Sequence, residues 1–347
     1  MGVALLTMMA PAAQISRPQT PPTQNTEAQK SEPQKSEAQQ PQAQKPGDKD
    51  DLDTFKVDVN VVNLFFNVKD KRGALLPSLK REDFEVFEDG EKQTIKYFTA
   101  DTNLPLTLGM LIDTSGSQER VLPMEQQVGG EFLREVIREK DLAFLMNFDV
   151  NVELVQDFTA STRELRRGLE RVKINTGGGG GGIPGMGGGP IPNSNPRTTA
   201  LYDAIYLASR EKLAREVGRK AMIILTDGED FGSKVRIQEA IEVAQKADAI
   251  CYVLLIADRG FYGGSGFGGD GRMKKVAEET GGRMIEVGNE QKKLKEAFEQ
   301  ISSELRSQYS IGYTPTNAKR DGTFRKIEIR AKNAKVQARK GYYAVKE

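Results

Sequence analysis

The 347 residues leave room for about two domains and tails, and 50 basic against 49 acidic residues give a formal charge of +1. That balance provides no broad field for nucleic acid or an anionic membrane. The sequence has no His and one Cys, which excludes Ser-His-Asp and Cys-His nucleophile pairs, His-ligated zinc, Cys-cluster metal sites and an intramolecular disulfide.

The apolar start Met1 to Ala13 ends Ala10-Pro-Ala12-Ala13 and reads as the end of a secretory signal with an Ala-x-Ala cleavage site, although a positive n-region is missing. It is too short to span a bilayer, and no later apolar segment is longer. The expectation is an extracytoplasmic protein (periplasmic, envelope or secreted) with no transmembrane segment. Residues 14–51 are rich in Gln, Pro, Lys, Glu and Ser, too polar to bury a core, and read as a disordered tether.

A small β domain is expected over 52–100. Phe55, Val57, Val59 and Val61 alternate with polar residues, Leu64 to Val68 extends the strand signal, and Phe84 to Ile95 reads as a hairpin about Asp89-Gly90, a pair that accepts the positive φ of tight hairpins. From 104 to 306 strands and helices alternate. Strands are expected at 104–112, 142–149, 152–156, 220–226, 249–257 and 283–287. Helices are expected near 120–138, 162–174, 200–216, 234–247, 272–280 and 290–306. Ile237, Ala240, Ile241 and Ala244 share one helical face, as do Leu294, Ala297, Phe298, Ile301 and Leu305, and Ser161 with Glu164 forms a capping box. The implied fold class is α/β, a doubly wound, mainly parallel sheet whose ligands bind at the carboxyl ends of its strands.

Three loops bring oxygens to that edge. Asp113, Ser115 and Ser117 follow the first strand of this unit, Thr199 opens a helix, and Asp227 follows Lys220 to Leu225. Asp-x-Ser-x-Ser alone reads as a turn with a helix cap. Five oxygens converging from three loops are harder to explain that way, and such hard donors suit Mg²⁺, Mn²⁺ or Ca²⁺. The Gly-rich stretches 177–189 and 260–271 are not phosphate loops, since no Gly-Lys-Ser/Thr follows. The first either shapes access to Thr199 or is an insertion with no role. Residues 307–347 hold three more strand candidates. They either complete the β domain, or Tyr309 to Tyr313 joins the edge of the large sheet and the others form a separate hairpin; the economical arrangement pairs at least part of 323–345 beside 55–100 in one small antiparallel β sandwich through which the α/β unit is inserted.

Asp113-Thr-Ser115-Gly-Ser117, Thr199-Ala-Leu-Tyr-Asp203 and Leu225-Thr-Asp227-Gly228, in that order after strands, resemble the von Willebrand factor A (VWA) domain and its metal-ion-dependent adhesion site. Asp83 to Gly90, Gln308 to Pro315 and Arg339 to Ala344 resemble the bacterial, acidobacterial-type VWFA-related family. The resemblance implies a metal bound directly by Ser115 and Ser117, directly or through water by Thr199, and mostly through water by Asp113 and Asp227. An Asp or Glu of a protein partner would fill the open position, with Thr114, Gly116, Thr198 and Gly228 as the rim it meets. The expected function is a non-enzymatic binding module. A Mg²⁺ phosphohydrolase with an Asp nucleophile is the alternative, although Ser115 stands where that class places a second Asp. A structural envelope protein with an empty site is a third.

Overall fold

The computed structural model describes residues 61–100, 104–174, 199–256, 269–344 and 346. The signal-like start, the tether, Thr198 and the Gly-rich stretches 177–189 and 260–268 lie outside them. The described residues fall within one compact unit.

The chain opens with β1 (Val62–Lys69), β2 (Phe84–Glu88), β3 (Glu91–Gln93) and β4 (Ile95–Thr99). Asp89 (φ 49°) and Gly90 (φ 89°) form the turn that pairs Glu88 with Glu91, as the Asp-Gly signal predicts. The hairpin does not continue to Ile95. After Gln93 the chain leaves β2, and β4 joins a different sheet, because Ile95 and Phe98 turn into a core that β2 reaches from the opposite layer.

A doubly wound unit follows. Its strands are β5 (Leu106–Asp113), β6 (Leu142–Phe148), β7 (Val152–Thr159), β8 (Arg219–Thr226), β9 (Ala249–Leu255) and β10 (Met284–Glu286), in the sheet order β10-β9-β8-β5-β6-β7. All neighbours are parallel except β7, which returns antiparallel on the edge. β5, β8 and β9 are buried along their whole length, as near-continuous apolar runs covered on both faces must be.

One face is packed by α1 (Leu122–Val136), α2 (Thr162–Arg171) and α6 (Gln291–Arg306), the last through Leu294, Ala297, Phe298, Ile301 and Leu305. The other is packed by α3 (Leu201–Leu207), α4 (Ile237–Lys246) and α5 (Gly269–Thr280). Residues 269–271, expected in a Gly-rich loop, thus begin a helix. Only half of the expected capping box forms. Ser161 accepts from Glu164 N at 3.3 Å, but the Glu164 carboxylate takes the Thr159 hydroxyl at 2.7 Å, and that hydroxyl accepts from Ser161 N.

Beyond α6 run β11 (Tyr309–Tyr313), β12 (Phe324–Ala331), β13 (Lys335–Gln337) and β14 (Gly341–Tyr343). β11 does not join the edge of the six-stranded sheet. It lies between β1 and β4 in the sheet β13-β1-β11-β4, while β12 lies between β14 and β2 in the sheet β14-β12-β2-β3. Both sheets bury one face in a common core, where Phe66, Phe84, Phe98 and Tyr309 pack with ring centroids 5.3–5.9 Å apart. Thr99 pairs with Ser310, so the strands that enter and leave the doubly wound unit are hydrogen-bonded neighbours.

The two parts meet around Glu304 of α6. Its carboxylate is 2.8 Å from Lys69 of β1, 2.8 Å from Arg283 and 3.0 Å from Gln337 of β13. Its carbonyl accepts from Asn67 at 2.7 Å.

Candidate metal centre

The chain order of the six-stranded sheet reverses between β5 and β8. A crevice at the carboxyl ends of two such strands is where a doubly wound sheet binds ligands. Asp113 is the last residue of β5 and Asp227 follows the last residue of β8.

The loop after β5 is held by its own oxygens. Asp113 Oδ1 accepts from Ser115 N at 3.0 Å, and Ser115 O accepts from Gln118 N at 2.9 Å, closing a single turn of 3₁₀ helix over Gly116–Gln118. The Ser115 and Ser117 hydroxyls are 3.0 Å apart, and Ser117 donates to Asp227 Oδ2 at 2.6 Å. Asp227 Oδ1 also accepts from Glu229 N at 3.1 Å. Between the two loops, Thr226 donates to Asp113 Oδ2 at 2.7 Å and accepts from Gly228 N at 3.0 Å. The serines are partly exposed, whereas Asp113 and Asp227 are buried.

Thr199 is buried two residues before α3, which begins at Leu201 with Ala200 as its cap. The Thr199 carbonyl accepts from Phe231 N at 3.2 Å and Gly232 N at 3.1 Å, and Ala200 N donates to Asp149 O at 2.6 Å. The first two bonds tie the Thr199 segment to the loop that carries Asp227, and the third ties it to the turn between β6 and β7. Thr114 and Gly228, expected on the rim, are buried. Thr114 faces inward because its hydroxyl bonds Phe148 O at 3.3 Å and Asp149 Oδ2 at 3.2 Å. Gly228 adopts the positive φ of 86° that turns the chain out of β8. Gly116 is partly exposed, and Thr198 lies outside the described residues.

Burial, followed by the neighbouring Asp227 charge, pushes the Asp113 carboxyl up to about 7, against donation from Ser115 and Thr226. Both of those donors are neutral. A buried carboxylate with neutral partners is costly in its charged form, and a divalent cation removes that cost. The spacing fits one as well: neighbouring oxygens of an octahedral Mg²⁺ site lie about 3 Å apart, and the Ser115–Ser117 and Ser117–Asp227 separations of 3.0 and 2.6 Å are of that order. Among the described residues no three His, Cys, Asp or Glu side chains are grouped to hold a metal by themselves, so an ion here would also draw on neutral oxygens such as the serine hydroxyls.

Sequence reasoning missed Glu125. This α1 residue is buried and lies close enough to Asp113 and Asp227 to feel both charges, which add to burial in holding its carboxyl well above the usual carboxylate range. The available signal was its place on the apolar stripe of Leu122, Val128, Phe132 and Val136, where a charged residue is buried and needs a partner.

No protein-family model matches the sequence, and neither does any curated protein. Solved structures with a similar fold include the conserved hypothetical protein BatB from Bacteroides thetaiotaomicron, at 19% identity over 58% of this chain and 100% of that one, with a TM-score of 0.42. Another is proximal thread matrix protein 1 from the mussel byssus with a zinc-occupied MIDAS motif, at 15% identity, a TM-score of 0.45, and 63% of this chain against 50% of that one. A third is the SpRpn10 VWA domain, at 11% identity over 57% and 95% with a TM-score of 0.38. At these identities the likeness is one of fold and carries no function across.

Proposed function

We propose that this chain is a non-enzymatic VWA module that holds a divalent cation, Mg²⁺ or else Mn²⁺ or Ca²⁺, and through it binds an Asp or Glu carboxylate of a protein partner. The observation that carries this reading is the convergence of Asp113, Ser115, Ser117 and Asp227 at the crevice between β5 and β8, with the hydroxyls toward the surface and the carboxylates beneath them. Ser115, Ser117 and Thr199 would hold the ion, while Asp113 and Asp227 would orient its surroundings. Neutral hydroxyls leave a bound cation with positive charge that an incoming carboxylate can satisfy.

Membership of the acidobacterial-type VWFA-related family belongs to the same reading, supported by the sequence segments at 83–90, 308–315 and 339–344. So does an extracytoplasmic location, supported by the signal-like start. Among the described residues no helix is long and apolar enough to cross a membrane.

Against phosphoryl transfer, Asp113 is 0% exposed, and both its oxygens already accept hydrogen bonds. A nucleophile must reach its substrate.

Titration calorimetry with Mg²⁺ on the wild type and Ser117→Ala tests the assignment. Losing one ligand oxygen is expected to weaken binding by about tenfold or more. Equal affinity in the two proteins would remove this loop from the site, and Asp113-dependent turnover of a phosphate ester would replace the reading with the enzymatic one.

A further inference from the structure

Glu125 is 1% exposed, and neither of its carboxylate oxygens has a hydrogen-bond partner. It is coupled to the ligand loop by consecutive backbone bonds: Gln118 N donates to Ser115 O, Val121 N to Gln118 O at 3.0 Å, and Glu125 N to Val121 O at 3.1 Å. Gln118 lies on the same path. It is fully buried, with its Nε2 3.5 Å from Ser117 Oγ and its Oε1 without a partner. Three buried acceptor oxygens with no donor thus lie on the segment that leads out of the serine loop, and Gln118, which carries one of them, sits beside Ser117.

Unsatisfied buried acceptors destabilise a fold, and an unmatched buried carboxylate does so more than a neutral group. A core that needed only packing would place an apolar side chain at position 125, like Leu122, Val128 and Phe132 on the same stripe. Water held around a bound cation supplies donors, and the cation supplies the opposing charge. Among the described residues Asp113, Asp227 and Glu125 are not grouped as a three-acid ligand set, so Glu125 is not placed as a third ligand beside the two aspartates.

We infer that Glu125 is an outer carboxylate of the metal centre, a positioning residue whose charge favours a divalent cation at the Asp113–Ser117 loop. The inference rests on the proposed metal site. It predicts opposite effects on two properties of one variant. Glu125→Gln keeps the shape and removes the charge, so the chelator-treated variant should melt at a higher temperature than the chelator-treated wild type. The variant should also bind Mg²⁺ about tenfold more weakly, the usual size of a loss behind the ligands, and show a smaller Mg²⁺-induced rise in melting temperature.

The full chain is titrated with Mg²⁺ alone as wild type, Glu125→Gln and Ser117→Ala. Wild-type Mg²⁺ affinity in Glu125→Gln overturns the inference while leaving the metal site standing, provided Ser117→Ala loses binding. A lowered melting temperature in chelator with an unchanged Mg²⁺ response also overturns it, because that is the signature of a packing role. If the wild type binds no Mg²⁺, the metal reading itself fails.

Discussion

Glu304 and Glu125 are both glutamates on helices of the same sheet face, exposed to 2% and 1%, yet their surroundings are opposite. Around Glu304 the chain gathers Lys69, Arg283 and Gln337 from three separate segments. Around Glu125 it places two more acids and no donor. The first carboxylate has a donor from within the chain on each oxygen and joins the β-sandwich to the doubly wound unit. The second, with Asp113, lowers stability unless something positive is added. A buried acid that the fold satisfies points to architecture, and one that it leaves unsatisfied points to a ligand.

The largest expected effect is on the satisfied side. Glu304→Ala leaves Lys69 and Arg283 facing each other at a largely buried junction, and chemical denaturation should show a loss of about 3 kcal/mol. A loss below about 0.5 kcal/mol, the range of exposed pairs, would erase the contrast by making Glu304 as dispensable as a surface acid.

An intermediate effect is expected from pH on the metal-free protein. The Asp113 carboxyl lies at about 7 in the fold, raised from an ordinary value of 3.8. A raised acid binds its proton more tightly when folded, so its contribution is fully present below about pH 4 and is lost as the pH rises toward 7. In chelator, melting temperature should therefore fall across that window, and added Mg²⁺ should restore it most at the upper end, where proton and cation no longer compete. Glu304→Ala should leave that slope unchanged. A flat profile in chelator would mean that Asp113 is already compensated.

The smallest effect is expected from Thr226→Val, which keeps the shape and removes the hydroxyl that donates to Asp113 and accepts from Gly228. Denaturation in chelator should show a loss of about 1–2 kcal/mol. A gain in stability would show that this hydroxyl serves the bound state alone.

Sequence by itself determined the alternation of strands and helices between 104 and 306, because apolar period and turn chemistry are local. The faces of α4 and α6, the Asp89-Gly90 turn and the placing of Asp113 and Asp227 at strand ends all follow from residues a few positions apart. Tertiary structure alone decided what depends on which segments meet. The chain leaves one sandwich sheet for the other after Gln93, and β11 takes a central place between β1 and β4, since a short strand pairs where a complementary apolar face is offered. The inward turn of Thr114 required the end of β6 beside it. Glu125 lies in the first turn of α1 and Glu304 in the last turn of α6, both buried on an apolar stripe, and neither position says which distant segments supply the neighbours. Charge compensation is a property of space, and Lys69 reaches Glu304 from 235 residues away.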